Sequence, residues 1–173
     1  KKMIFVSTCS NYGLLDNELS ATEETKLNPL SLYAKAKVEC EKLIISLKDK
    51  TDYSSTILRF STAFGHSPRM RFDLTVNEFT RDVVINKFLQ VYDADTWRPY
   101  CHVKDFTRLI NIVIGADRAK IDNQIFNAGG EKNNFTKRNI VNLILKYVPD
   151  AKIEYGDKGS DPRNYRVNFQ KVK

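Results

Sequence analysis

Tyr33 and Lys37 stand four residues apart in Tyr33-Ala-Lys-Ala-Lys37, a spacing that lets a phenol and an ammonium share one face of a helix. An ammonium beside a phenol favours the phenolate, the form that takes a proton from a sugar or alcohol hydroxyl. Upstream, the hydroxyl-rich segment Val6-Ser-Thr-Cys-Ser-Asn-Tyr-Gly13 leaves an apolar stretch, so a hydroxyl at a strand end could hold the oxygen being deprotonated. The spacing alone fits a solvated helix face equally well. Tyr100 and Lys104 repeat it, but within Arg98-Pro-Tyr-Cys-His-Val103, which reads as extended and does not bring that lysine onto the tyrosine's face.

The elements needed to position the first pair are legible. Asn28-Pro-Leu-Ser31 is a helix-entry signal in which Ser31 can cap orphan amides, and Ala34 to Leu47 consists mostly of good helix formers. Met3–Ser7 and Ser55–Phe60 are continuous apolar-rich runs expected as buried parallel strands. Further on, the pattern predicts a helix from Asp73 to about Val84, a strand at Phe88–Tyr92 and a helix over Val103–Ile114. It then predicts a strand at Gln124–Asn127, a helix capped by Thr136 and running to Tyr147, and an extended piece at Lys152–Tyr155. Glu131–Asn134 reads as a plain polar loop, and Phe169–Lys173 as the start of an element. Strands alternating with helices indicate an α/β fold.

The bulk numbers narrow the classes. At 173 residues, 42% hydrophobic and 28% charged, the chain can bury a core of its own. No apolar run approaches the roughly 18 residues of a membrane span, so no membrane partner is expected, and the expected location is cytoplasmic. Cys9, Cys40 and Cys101 are too dispersed for a zinc site, and Cys9 and Cys40 read as small buried fillers. No metal is expected. The net charge of +7 is spread among acids without a basic run or a recognition motif, which speaks against nucleic acid as a partner and suits small anionic ligands. His66 and His102 suggest no triad, and His102 reads as a structural histidine.

Taken in order, these segments resemble the NAD-dependent sugar-nucleotide epimerase/dehydratase family, the extended short-chain dehydrogenase/reductases. Val6–Gly13 is similar to the strand-end Ser/Thr motif, and Pro29–Lys37 with Glu41 to the catalytic helix. Leu58–Gly65 resembles the following strand and loop, and Arg98-Pro-Tyr-Cys-His-Val-Lys-Asp105 the family's Arg-Asp-Tyr-Ile-His-Val-x-Asp segment. Phe126-Asn-Ala-Gly129 and Asp161-Pro-Arg-Asn-Tyr165 follow in order, and Ser67–Asn77 looks like a subgroup acting on nucleotide-linked hexoses or heptoses.

The resemblance implies a rear part of a Rossmann-like parallel sheet, residues 1–65, with the catalytic helix. Residues 66–173 would form mainly a smaller α/β substrate-binding lobe, with some elements returning to the sheet. It implies NAD (or NADP) as cofactor, a nucleotide-diphosphate sugar as substrate and a homodimer of the full-length protein. Thr8 would bond the sugar's C4 oxygen, Tyr33 would be the base, and Lys37 its electrostatic partner and a ribose ligand, with Ser7 on the cofactor side. Arg98 and Arg163 would contact the nucleotide's phosphates or base, and Arg69, Arg71 and Asn77 would line the same region.

Three departures qualify the resemblance. Cys9-Ser10 stands where dehydratases carry Asp-Glu, which favours epimerase or 4-dehydrogenase/reductase chemistry. Thr62 replaces a common asparagine, and Pro99 a common aspartate. No Gly-x-x-Gly-x-x-Gly turn follows a strand, so the chain reads as the middle and rear of a longer protein. The alternative reading is a catalytically incompetent fragment or a non-catalytic nucleotide-sugar-binding module that lacks the cofactor site.

Overall fold

The computed structural model describes residues 1–15, 20–48, 50–157 and 163–173. Lys2–Thr8 forms β1, followed by a 3-10 turn at Cys9–Tyr12, β2 at Ser20–Ala21, α1 at Leu32–Ser46 and β3 at Ser54–Phe60. Then come β4 (Thr62–Phe64), α2 (Thr75–Asn86), β5 (Phe88–Tyr92) and β6 (Trp97–His102). The rest comprises α3 (Val103–Gly115), α4 (Arg118–Ile121), β7 (Gln124–Ala128), β8 (Asn134–Thr136), α5 (Lys137–Leu145), β9 (Lys152–Gly156) and β10 (Arg166–Val167). This is an α/β fold in which the described strands pair in parallel except β6 and β8, which are antiparallel.

The sheet β1-β3-β7 is parallel throughout, with Val6 opposite Leu58 and Thr8 opposite Phe60, so β1 and β3 end side by side. Six of the seven β3 residues are buried, as expected of a strand covered on both faces. Two of its polar side chains are satisfied by the segment that leads into β7, while the buried Ser54 hydroxyl has no hydrogen-bond partner among the described residues. Ser55 Oγ donates to Asn123 Oδ1 at 2.9 Å and Thr56 Oγ1 to the Ile121 carbonyl at 2.9 Å. Leu58, Cys101, Phe106 and Val113 pack together on this sheet, and complete burial of a leucine side chain stabilises by roughly 1.5–3 kcal/mol. A second core joins α2, α5 and β5 through Phe79, Val83, Val91 and Val141. A third, around Tyr12, Tyr165, Val167 and Phe169, seats the chain's last described segment against the turn after β1.

Boundaries moved where tertiary contacts overrode local pattern. The second helix begins at Thr75, after Leu74 at a backbone N-cap without a side-chain bond. Thr136 caps α5 through a capping box with Asn139, but the helix ends at Leu145 rather than Tyr147. Glu131–Asn134 is not a plain loop. A 3-10 turn spans Glu131–Asn133, and Asn134 opens β8. The Asn134 side-chain amide donates to the Val167 carbonyl and accepts from the Val167 amide, each at 2.9 Å, joining this segment to β10. Cys40 is exposed, contrary to its reading as a filler, because α1 turns Ala34, Val38 and Glu41 inward and leaves position 40 outside. Gln170–Val172 forms a 3-10 turn.

Candidate active site

At the carboxyl ends of β1 and β3 lies a cleft of about 510 Å³, the part of a parallel sheet where ligands bind in open α/β folds. Ser7 and Thr8 from β1, Tyr33 from α1, and Phe60 to Ala63 from β3 and β4 line it. Arg71, Asp73, Arg98, Arg163 and Tyr165 enter from the other segments. Six residues expected from sequence to act on the ligands, Ser7, Thr8, Tyr33, Arg71, Arg98 and Arg163, meet in this lining. Thr8 Oγ1 accepts the Ser10 amide at 3.1 Å and so caps the turn that follows β1.

Helix α1 delivers Tyr33 and Lys37 together. Ser31 caps it as predicted, its hydroxyl accepting the Ala34 amide at 3.1 Å. Tyr33 is 56% exposed at the helix start. Lys37 Nζ donates to the Val6 carbonyl at 2.8 Å and lies 4.8 Å from the Phe5 ring centroid and 5.8 Å from that of Tyr33. The ammonium thus ties the helix to the end of β1 while lying against the phenol's ring. Tyr100, of the repeated spacing, is buried in β6, and Lys104 belongs to the next element, α3.

Of two further cations in the lining, Arg163 reaches Ser10 and Arg98 lies against the neighbouring Tyr165 ring. Arg163 Nη1 donates to Ser10 Oγ at 3.0 Å, and the Tyr165 hydroxyl lies 3.4 Å from the same oxygen. The buried Arg98 guanidinium lies 5.0 Å from the Tyr165 ring centroid and donates to the Trp97 carbonyl at 2.8 Å. Burial pushes the Tyr165 phenol up from its ordinary value. Asp73 is the acid of the lining. Its bonds to Arg71 hold its carboxyl below the usual carboxylate range, and Arg71 Nε reaches it at 3.1 Å. Cys9 is buried, its thiol donating to the Arg59 carbonyl and pushed well above the ordinary range by burial.

Two expected ligand residues stand elsewhere. Arg69 is exposed and not part of the cleft lining. Asn77 is buried, with both ends of its amide bonded to backbone: Oδ1 accepts the Gly65 amide at 3.0 Å and Nδ2 donates to the Arg71 carbonyl at 3.0 Å. Asn77 therefore shapes the loop that carries Arg71. His102 caps α3 through Nδ1, which accepts the Lys104 amide at 3.1 Å. Among the described residues, no group of three or more His, Cys, Asp or Glu could hold a metal. No helix among them is long and apolar enough to cross a membrane. Residues 161 and 162 of the Asp161–Tyr165 segment lie outside the described residues.

Beneath the cleft runs a polar network that motif reading passed over. The Ser7 hydroxyl donates to Glu41, Asn11 Nδ2 donates to Glu41 Oε1 at 2.9 Å, and Arg59 Nη2 pairs with Glu41 Oε2 at 2.7 Å. Arg59 Nη1 reaches the Tyr12 hydroxyl at 3.0 Å, and that hydroxyl donates to Asn127 Oδ1 at 2.7 Å. Burial alone would lower the Arg59 guanidinium, yet its bonds to Glu41 and Tyr12 hold it above its ordinary value. The available signal was periodic: Glu41 follows Tyr33 and Lys37 at the same four-residue step on one helix face.

A profile of the NAD dependent epimerase/dehydratase family matches residues 1–129. The chain belongs to this family. It is 28% identical over 177 residues to an uncharacterized UDP-glucose epimerase, YtcB, of Bacillus subtilis, covering 98% of this chain and 52% of that protein. The chain spans about half the length of the curated relatives it matches. Among solved structures it is similar to dTDP-glucose 4,6-dehydratase from Bacillus anthracis in complex with NAD, with a TM-score of 0.85 and 26% identity. That match covers 99% of this chain and 54% of the other. UDP-glucuronic acid 4-epimerase from Bacillus cereus, in complex with UDP-glucuronic acid and NAD, shares the fold at TM-score 0.83 and 23% identity, over 99% and 54% of the two chains. The family is one of NAD-dependent enzymes, and the fold is Rossmann-like.

Proposed function

We propose that this chain carries the catalytic helix and the substrate-binding part of an enzyme that oxidises and reduces C4 of a nucleotide-linked sugar, as an epimerase or 4-dehydrogenase/reductase. The observation that carries the reading is the convergence of Thr8, Tyr33, Arg71, Arg98 and Arg163 on one cleft at the strand ends. The Thr8 hydroxyl holds the C4 oxygen. Tyr33, one helix entry away, takes the proton from that oxygen and returns it when the carbonyl is reduced. NAD supplies the hydride acceptor and donor. The donor set suits the nicotinamide-ribose end of such a cofactor: an ammonium has three donors, and the Val6 carbonyl takes one from Lys37, leaving it able to reach ribose hydroxyls near Tyr33.

Arg98 and Arg163 neutralise the diphosphate, a task suited to guanidinium forks. Arg71 borders the same space. Water elimination would need an acid and a base beside the sugar. At the two positions after Thr8 stand a buried thiol and the hydroxyl of Ser10, which Arg163 already holds, so epimerisation or simple redox at C4 is the better reading. Residues 1–65 supply the catalytic side, and residues 66–173 mainly the substrate side, with β7 returning to the β1-β3 sheet. The outer stripe of α1, with Leu32, Ala36 and Leu43 exposed, supports a homodimer that meets along this helix.

Titration calorimetry with UDP- and GDP-sugars, and separately with NAD, tests the binding part. Failure of every nucleotide-sugar to bind overturns it. Where turnover is measured, Tyr33→Phe is expected to lower it by about two to four orders of magnitude, the scale of general acid–base catalysis. An unchanged rate would remove Tyr33 from the reaction.

A further inference from the structure

Glu41 is the third residue on the α1 face that carries Tyr33 and Lys37, and it is buried. Its carboxylate gathers three other pieces of chain. Ser7 immediately precedes Thr8, Asn11 lies in the turn with Ser10, and Arg59 precedes Phe60 and Ser61 of the cleft floor. Besides the flexible Lys37 side chain, which reaches the Val6 carbonyl from the helix surface, only the small buried side chains Ala34 and Val38 seat the helix here. Two small apolar contacts permit sliding. A buried ion pair does not, because its hydrogen bonds hold only in one geometry. Such a pair is also a weak source of net stability, since desolvation offsets most of the attraction. A geometric role explains it better than a stabilising one.

We propose that Glu41, held by Arg59, is a positioning residue that fixes the register of α1 against the end of β1 and thereby the approach of Tyr33 to Thr8. Its effect on catalysis rests on the function proposed above, but the clamp can be read without substrate. Lys37 provides the signal: its ammonium lies over the Phe5 and Tyr33 rings, so ring currents displace its ε-methylene proton resonances. A shift in register would release that displacement.

Two variants separate the clamp from simple support. Glu41→Asp keeps the charge but shortens the reach, so Ser7 and Arg59 cannot both be held. The double variant E41L/R59M replaces the pair with apolar groups of similar volume. Glu41→Asp is expected to keep the wild-type circular dichroism spectrum while the Lys37 resonances lose more than about half of their displacement. With a nucleotide-sugar that turns over, kcat should fall at least about tenfold while KM changes less than about threefold, the pattern of a lost transition-state geometry. E41L/R59M, where it folds, should show the same two losses. Wild-type Lys37 resonances in Glu41→Asp overturn the proposal, as does a rise in KM alone. So does recovery of both signals in the double variant. Failure of every nucleotide-sugar to bind the wild type would refute the proposed function while leaving the Lys37 resonances to decide on the clamp.

Discussion

Gly65 has φ +106°, and a Cβ added there would meet His102 Nε2 at 2.2 Å. Both the backbone region and the space require glycine, so Gly65→Ala should destabilise the chain by more than about 1 kcal/mol, read as a lowered urea midpoint. Its amide is also the one Asn77 accepts, so the same change should weaken the loop that brings Arg71 to the cleft. This residue-level role of Asn77 was not legible in sequence. A buried amide that binds backbone and one that binds a ligand have the same letter and the same neighbours. The placement of Thr8 at a strand end, of Tyr33 at a helix entry and of Lys37 one turn on was legible, because each is a local feature of its own element. Glu41–Arg59 was not, because an ion pair across α1 and β3 depends on how the helix lies on the sheet.

Helix α1 is held at its start by one cap. Ser31→Ala removes the bond to the Ala34 amide and should cost about 1 kcal/mol, seen most sharply as faster amide exchange at Ala34 and Lys35. At α5, Arg138 Nε and Nη2 hold Asp95 at 2.8 and 2.9 Å. These bonds lower the Asp95 carboxyl below its ordinary value. A carboxyl lowered in the folded state adds stability above its unfolded value and loses it as the pH falls through the folded one. Asp95→Asn should therefore be less stable than wild type near neutrality, and thermal melts of the two should converge below about pH 4. Elements of five residues or more were readable from pattern, since burial on one or both faces leaves a period. The three-residue strands β4 and β8 left none; they exist because β6 offers its two edges to them.

On the scale of the whole molecule, an interface along α1 should fail if its outer stripe is charged. Leu43→Arg is expected to shift a dimeric sample to monomer in sedimentation velocity without altering its circular dichroism, and an unchanged sedimentation coefficient would discard that interface. The strands β4 and β6 run side by side, and their neighbouring residues serve different cores. Tyr100 and Phe64 pack with the α2–α5 core, while Cys101 and Ala63 pack with the β1-β3-β7 core. The chain's one tryptophan, Trp97, begins β6 beside this seam. A single ribbon of backbone with a different core on each side acts as a mechanical coupling, because neither side can melt without stripping the other's wall. Trp97 fluorescence and far-ultraviolet ellipticity should accordingly report the same urea midpoint, which makes that lone indole an internal gauge of whether damage to one core is felt in the other.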